Sequence, residues 1–333
     1  MTSVRDRALG AFYGVALGDA LGMPTQSMRR EEIVEDYGHF TGFVDAGPRQ
    51  RIANGMKAGS ITDDTEQAIM LAELIIEGDG VVDPSAFAKA LIEWELDMKA
   101  RGSLDLLGPS TKQAVERILA GTDPNEAGRF GTTNGAAMRV TPAAIAVSLD
   151  GGVGAFVDAV YLSSFVTHNT SLGIASAAAV AGAVSAGIDG ASLADAIGVG
   201  IAAAAEGATR GHWSAGGDIA TRITWAVEHV KNSDNKELST TVSDLIGTSV
   251  ASQESVVAAF ALAVAYDDPW DVVLAAARIG GDTDTIAAMA GAIRGSVSGM
   301  SAWPADAVRV VTEANSLSLH SVVDRLLALR HTN

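Results

Sequence analysis

Gly10-Ala11-Phe12-Tyr13-Gly14-Val15-Ala16-Leu17-Gly18-Asp19-Ala20-Leu21-Gly22 carries two helical rhythms at once. Leu9, Phe12, Tyr13, Ala16 and Ala20 fall at i, i+3, i+4, i+7 and i+11, which is one apolar helix face. Gly10, Gly14, Gly18 and Gly22 recur every fourth position along the same helix. A glycine inside a helix costs about 1 kcal/mol against alanine, so a bare glycine stripe needs a reason. The close approach of a second helix backbone supplies one. Ala68, Leu71, Ala72 and Ile75 form another amphipathic face, and Ile286, Met289, Ala290, Ile293 and Val297 a third. No strand-like alternation stands out, and no Asn-Gly turn separates β-branched runs. The sequence reads as all-α.

Composition agrees with a helical core. Of 333 residues, 48% are hydrophobic but only 5% aromatic, so small aliphatic residues must fill the interior, as closely packed helices require. No break in composition marks a linker, and residues 1–333 read as a single domain. The segment from Arg29 to Gly59 is polar, rich in glycine and weakly periodic, which predicts a long loop or lid. Gly121 to Gly131 and Asn232 to Glu237 read as shorter surface connections. The formal net charge of −17 disfavours duplex nucleic acid and requires local donors or metal ions for any anionic substrate. The absence of cysteine excludes disulfides, thiolate metal sites and cysteine nucleophiles. Met1 to Arg7 has no apolar signal-like run, so a cytoplasmic location is expected. Asn169 to Ile188 is uncharged and long enough to span a bilayer, yet its Ala, Ser and Gly drive insertion weakly. It reads as a buried helix, with no membrane partner.

Two short motifs carry the chemistry. Thr62-Asp63-Asp64-Thr65 opens the helix of Ala68 and Leu71, and Gly280-Gly281-Asp282-Thr283-Asp284-Thr285 opens the helix of Ile286 and Met289. Either one alone reads as a helix cap, because Thr and Asp satisfy the free N–H groups of a first turn and the dipole favours negative charge there. A cap needs one such residue, however. Four aspartates over two similar helix starts would repel one another if they converged without a cation. Oxygen donors without His or Cys suit Mg²⁺, Mn²⁺ or Ca²⁺ rather than zinc. Two such ions would share these ligands and lower the pKa of a bridging water.

Together with Gly18-Asp19-Ala20-Leu21-Gly22, Asn134-Gly135-Ala136-Ala137-Met138-Arg139 and Thr167-His168, these motifs resemble the ADP-ribosylglycohydrolase family over nearly the whole chain. The resemblance implies that family's compact orthogonal helical bundle. It implies a glycosidase that hydrolyses an N-glycosidic bond at ribose C1, with two Mg²⁺ or Mn²⁺ ions held by Thr62, Asp63, Asp64, Asp282, Asp284 and Thr285. Asp63, Asp64 and Asp284 become the catalytic candidates, since an aspartate among the ligands can orient or deprotonate the attacking water. Asn134, Gly135 and His168 are expected to line the substrate cleft. Gly108, Ser110 and Thr111 form a helix-starting turn that presents N–H groups to a phosphate, or else an ordinary cap. His168 otherwise reads as a packed or capping histidine.

Some positions depart from the family pattern. Gln26 stands where many members carry a glutamate, and an amide cannot take up a proton, so a general acid or base is lost there. Thr132-Thr133 replaces the glycine usual before Asn134. Asp19 reads as a surface or supporting residue. The tryptophans read as core, with Trp213 able to stack on a base. The expected substrate is an ADP-ribosylated protein, with arginine-type linkages favoured. A small ribosyl compound cleaved by the same metal chemistry is the alternative, and a non-enzymatic crystallin-like protein is a third reading.

Overall fold

The computed structural model describes residues 2–330 apart from 104–106, 232 and 234, without the side chains of 235 and 236. Asn232, at the start of the expected 232–237 connection, lies outside the described residues, and a short helix Asn235–Thr240 follows. The glycine stripe explains the centre of the molecule. Val4–Gly22 and Thr283–Ser298 are long helices that meet backbone to backbone. A Cβ on Gly10 would sit 2.5 Å from the Gly295 carbonyl oxygen. A Cβ on Gly14, Gly18 or Gly22 would collide with the backbone of Gly291, Ala287 or Asp284 respectively. The missing side chains are therefore what lets this pair touch, and the last contact brings Gly22 against the residue that carries one of the candidate carboxylates.

Helices Asp63–Glu77, Ser171–Ile188, Ser252–Ala265 and Pro269–Ala277 surround that pair and share one continuous hydrophobic cluster with it. Among the described residues there are helices and isolated bridges but no strand. The uncharged Ser171–Ile188 helix is long and apolar enough to cross a membrane by length and composition, yet Leu172 to Ile188 are all buried inside the fold. Three expectations need correction. The 29–59 segment is not a continuous loop, because a helix Arg30–Tyr37 opens it, with Ile33 buried and Glu32 accepting from the Arg29 backbone N–H. Its few apolar positions concealed that helix. The 121–131 connection likewise contains a helical turn, Pro124–Ala127. Trp213 is exposed at 84% and Trp225 at 44%, so neither is core.

Candidate active site

The two aspartate-bearing helix starts lie side by side. Thr62 and Asp282 occupy the N-cap positions, yet neither side chain caps its helix. The Thr62 hydroxyl donates instead to Asp19 at 2.7 Å, and Asp282 accepts from the Asn134 amide at 2.5 Å. Capping therefore does not account for these residues. Gly280 and Gly281, both at positive φ, turn the chain into the second motif. A backbone pairing of Met28 with Gly281 and a 2.7 Å bond from the Asp282 N–H to the Thr248 carbonyl fix that turn.

Asp19 is fully buried, which rules out the surface placement and leaves the supporting role. It accepts from the backbone N–H and hydroxyl of both Thr62 and Thr65, over 2.5–3.1 Å. The central helix thereby pins the start of Asp63–Glu77. Burial pushes the Asp19 carboxyl up to about 6, while these four donors pull the other way. Asp64, equally buried, has one bond, from the Thr285 hydroxyl at 3.1 Å, and its Oδ1 is buried with no hydrogen-bond partner. Burial raises its pKa well above the usual carboxylate range, and Asp63, Asp284, Asp19 and Asp282 raise it further. Asp282 is raised to about 6 by its enclosure, against the opposing bonds from Asn134 and Thr285.

A cleft of 330 Å³ opens onto this floor. Asp63, Asp282, Asp284 and Thr285 form its base, and Gly108, Thr111, Asn134 and Gly135 form one wall. Gln26, Ser27 and Ile52 form the other side. Thr62 and Asp64 sit beneath the base rather than on it. Ser110 is buried, and its oxygen accepts from the Thr132 and Thr133 N–H groups at 3.2 Å, so it holds the 132–133 loop. His168 is also off the cleft wall. It is fully buried, with its ring nitrogens 2.7 Å from the Thr167 hydroxyl and 3.1 Å from that of Thr133. Burial first, and Arg139 second, hold its pKa well below the usual value, so it stays neutral.

Sequence reasoning missed what lies under the wall. Arg139 is completely buried, donating to Gln67 at 2.8 Å and to the Thr167 hydroxyl, with its guanidinium 5.1 Å from the Phe87 ring centre. Burial lowers its pKa to about 10, with Asp63 opposing. Gln67 passes the contact on, donating to Asp63 at 3.0 Å. The i, i+4 spacing of Asp63 and Gln67 was a readable signal, whereas the pairing with Arg139 spans 72 residues.

The residues suit hard divalent cations in kind. All are oxygen donors, and the buried Asp64 Oδ1 among them has no hydrogen-bond partner. Among the described residues no three acidic or imidazole groups are closed into a finished metal cage. Asp282 turns to Asn134, and Asp63 to Gln67.

The family model for ADP-ribosylglycohydrolase matches residues 1–333. The chain belongs to the ADP-ribosylglycohydrolase family. It is 34% identical over 299 residues to the uncharacterised protein YegU of Escherichia coli (strain K12), covering 89% of each chain. A shorter match, 36% identical over 147 residues, pairs 43% of it with 46% of the ADP-ribosyl-dinitrogen reductase glycohydrolase of Rhodospirillum rubrum. A solved ADP-ribosylglycohydrolase-related protein shares the fold, with a TM-score of 0.73, 22% identity and 99% coverage of both chains. The glycohydrolase scaffold thus places two acidic helix starts, an asparagine-glycine wall and an arginine-glutamine support around one cleft.

Proposed function

We propose that this glycohydrolase is a divalent-metal-dependent enzyme that hydrolyses the N-glycosidic bond at ribose C1 of an ADP-ribosyl group, with arginine-type linkages favoured. One observation carries the reading. A single cleft gathers Asp63, Asp282 and Asp284 on its floor and Gly108, Thr111, Asn134 and Gly135 on its wall. Thr62, Asp63, Asp64, Asp282, Asp284 and Thr285 would hold two Mg²⁺ or Mn²⁺ ions. Bound there, the ions would polarise ribose hydroxyls and lower the pKa of a water.

The chain's own residues do the rest. The Pro109–Leu119 helix begins at this wall with no side-chain cap on its first-turn N–H groups, a suitable cradle for a phosphate. Asn134 is held by Asp282 and also donates to Ser255 at 3.0 Å, so its position is fixed before a substrate arrives. Asp63, on the floor and steadied by Gln67 and Arg139, would orient a water and accept its proton.

Gln26 bears on the leaving group. It lines the cleft as an amide whose Nε2 is buried without a partner. An amide donates a hydrogen bond but supplies no proton to a departing alkoxide. A guanidinium leaves with its own protons, which favours arginine linkages over serine linkages. The test compares kcat/KM on matched arginine- and serine-linked ADP-ribosyl peptides and a nucleoside, with Mg²⁺ or Mn²⁺ present. Preference for arginine is expected. Faster release from serine would refute the leaving-group reading, and release from the nucleoside alone would replace it with riboside hydrolysis.

A further inference from the structure

The cleft does not end at Ile52. That residue is shared with a second, wider groove of 990 Å³, walled by residues 48–56 and by the turn that closes the Pro84–Ala100 helix. Among the described residues lining this groove, the charged ones are Arg49, Arg51, Arg101 and Glu66. An excess of positive charge beside the cleft is notable on a chain of net charge −17.

Most of that charge is already engaged. Arg49 pairs with Glu35 at 2.9 Å and with Asp36 at 3.1 Å. Arg101 pairs with Asp97 at 2.9 Å and with Glu66 at 3.4 Å, and Glu66 also accepts from Trp94 at 2.6 Å. Arg51 is exposed and makes no ion pair among the described residues. Its backbone is nevertheless held in place. The buried Gln50 side chain donates to the Gln26 carbonyl at 2.8 Å and accepts from the Ile52 N–H at 2.8 Å. Arg51 therefore stands on a braced segment tied to the cleft wall.

The two ends of the cleft differ in chemistry. Away from Ile52, Pro109 and Thr133 join the cleft to another groove of 510 Å³, bordered also by Ser110, Lys112 and Glu116 at a helix N-terminus whose N–H groups suit the phosphates of the ADP arm. The Ile52 end is left for the group on the other side of ribose C1. A guanidinium with no carboxylate partner is suited to a carboxylate presented by that group, through two parallel N–H···O bonds.

We propose that the groove beyond Ile52 is the subsite for the polypeptide that bears the ADP-ribosyl group, and that Arg51 pairs there with an Asp or Glu close to the modified residue. The inference rests on the hydrolase reading above. It is tested with four ADP-ribosyl-arginine substrates, namely the free amino acid, a peptide with a flanking Glu, and the same peptide with Gln or with Lys. The wild type should prefer the Glu peptide to the Gln peptide about fivefold in kcat/KM, the size of a partly exposed ion pair. Arg51→Ala should bring that ratio to about one, Arg51→Lys should keep part of it, and Arg51→Glu should invert it for a Lys-flanked peptide. A Glu-to-Gln ratio near one in the wild type, or one that survives Arg51→Ala, overturns the subsite while leaving the hydrolase reading intact. Failure of the wild type to release ADP-ribose from any of these substrates overturns the hydrolase reading itself, and the subsite with it.

Discussion

Asp19 and Asp64 are both completely buried, yet they serve opposite ends. Asp19 meets four donors from Thr62 and Thr65, which hold its carboxylate from two sides. Asp64 meets one donor and four neighbouring carboxylates that raise its pKa, and one of its oxygens has no partner. Burial alone does not define an active site. A buried charge with its hydrogen bonds complete is a structural fastening, and one left incomplete among like charges is suited to a cation.

The largest effect that can break this contrast is on turnover. Asp64→Asn removes a charge from the proposed metal floor and should cost at least about 100-fold in kcat/KM. Its metal-free form should melt no lower than the metal-free wild type at neutral pH. Because the folded pKa of Asp64 is raised, ionisation destabilises the fold above the ordinary carboxylate range near 4, and an amide escapes that cost. Asp19, raised to about 6, also carries an ionisation cost at neutral pH. In Asp19→Asn the loss of acceptors for its four donors should outweigh that cost and reverse the pattern. The substitution turns an amide toward at least one donor and should lower stability by about 3 kcal/mol, read as a shift in denaturant midpoint. Equal thermal behaviour of the two variants would erase the distinction.

A smaller effect tests whether the helix pair sets the floor. Gly22→Ala would press a Cβ against the Asp284 backbone. About 2 kcal/mol of stability should go, and metal affinity should fall as the Asp284 end shifts. Unchanged stability and affinity would show that the glycine contact does not position the carboxylates.

The smallest effect concerns His168, which supports the wall from behind. Its folded pKa is depressed, so the stability it contributes is fully present above the unfolded value near 6.5 and is lost as pH falls toward the folded one. His168→Gln should cost about 1 kcal/mol at pH 8, and its gap to the wild type should narrow below pH 6.5. A constant gap would mean that the ring is not held neutral.

Much of this architecture was legible in the chain. The four-residue glycine stripe announced the tight helix pair, and two Asp-Thr helix starts announced the floor, because both are local and periodic. The support beneath them was not. Asp19 finds Thr62 across 43 residues, and Arg139 finds Gln67 across 72, separations that no local pattern encodes. For the same reason His168 read as a cleft residue from its motif, whereas packing places it behind the wall against Thr133, and Ser110 lies off the main cleft, holding the 132–133 loop and bordering the adjoining groove. The Arg30–Tyr37 helix was hidden by its polarity, with Ile33 as its one buried residue.

The central claim is that the four-aspartate cluster at and beneath the cleft floor is a paired divalent-metal centre, and titration of Mn²⁺ into chelator-stripped protein, followed by electron paramagnetic resonance and by turnover, tests it most directly. The account predicts two Mn²⁺ per chain with a spin-coupled spectrum, turnover that returns with them, and loss of both in Asp64→Asn. Full turnover in the stripped protein, or no bound Mn²⁺ at millimolar concentration, would contradict it.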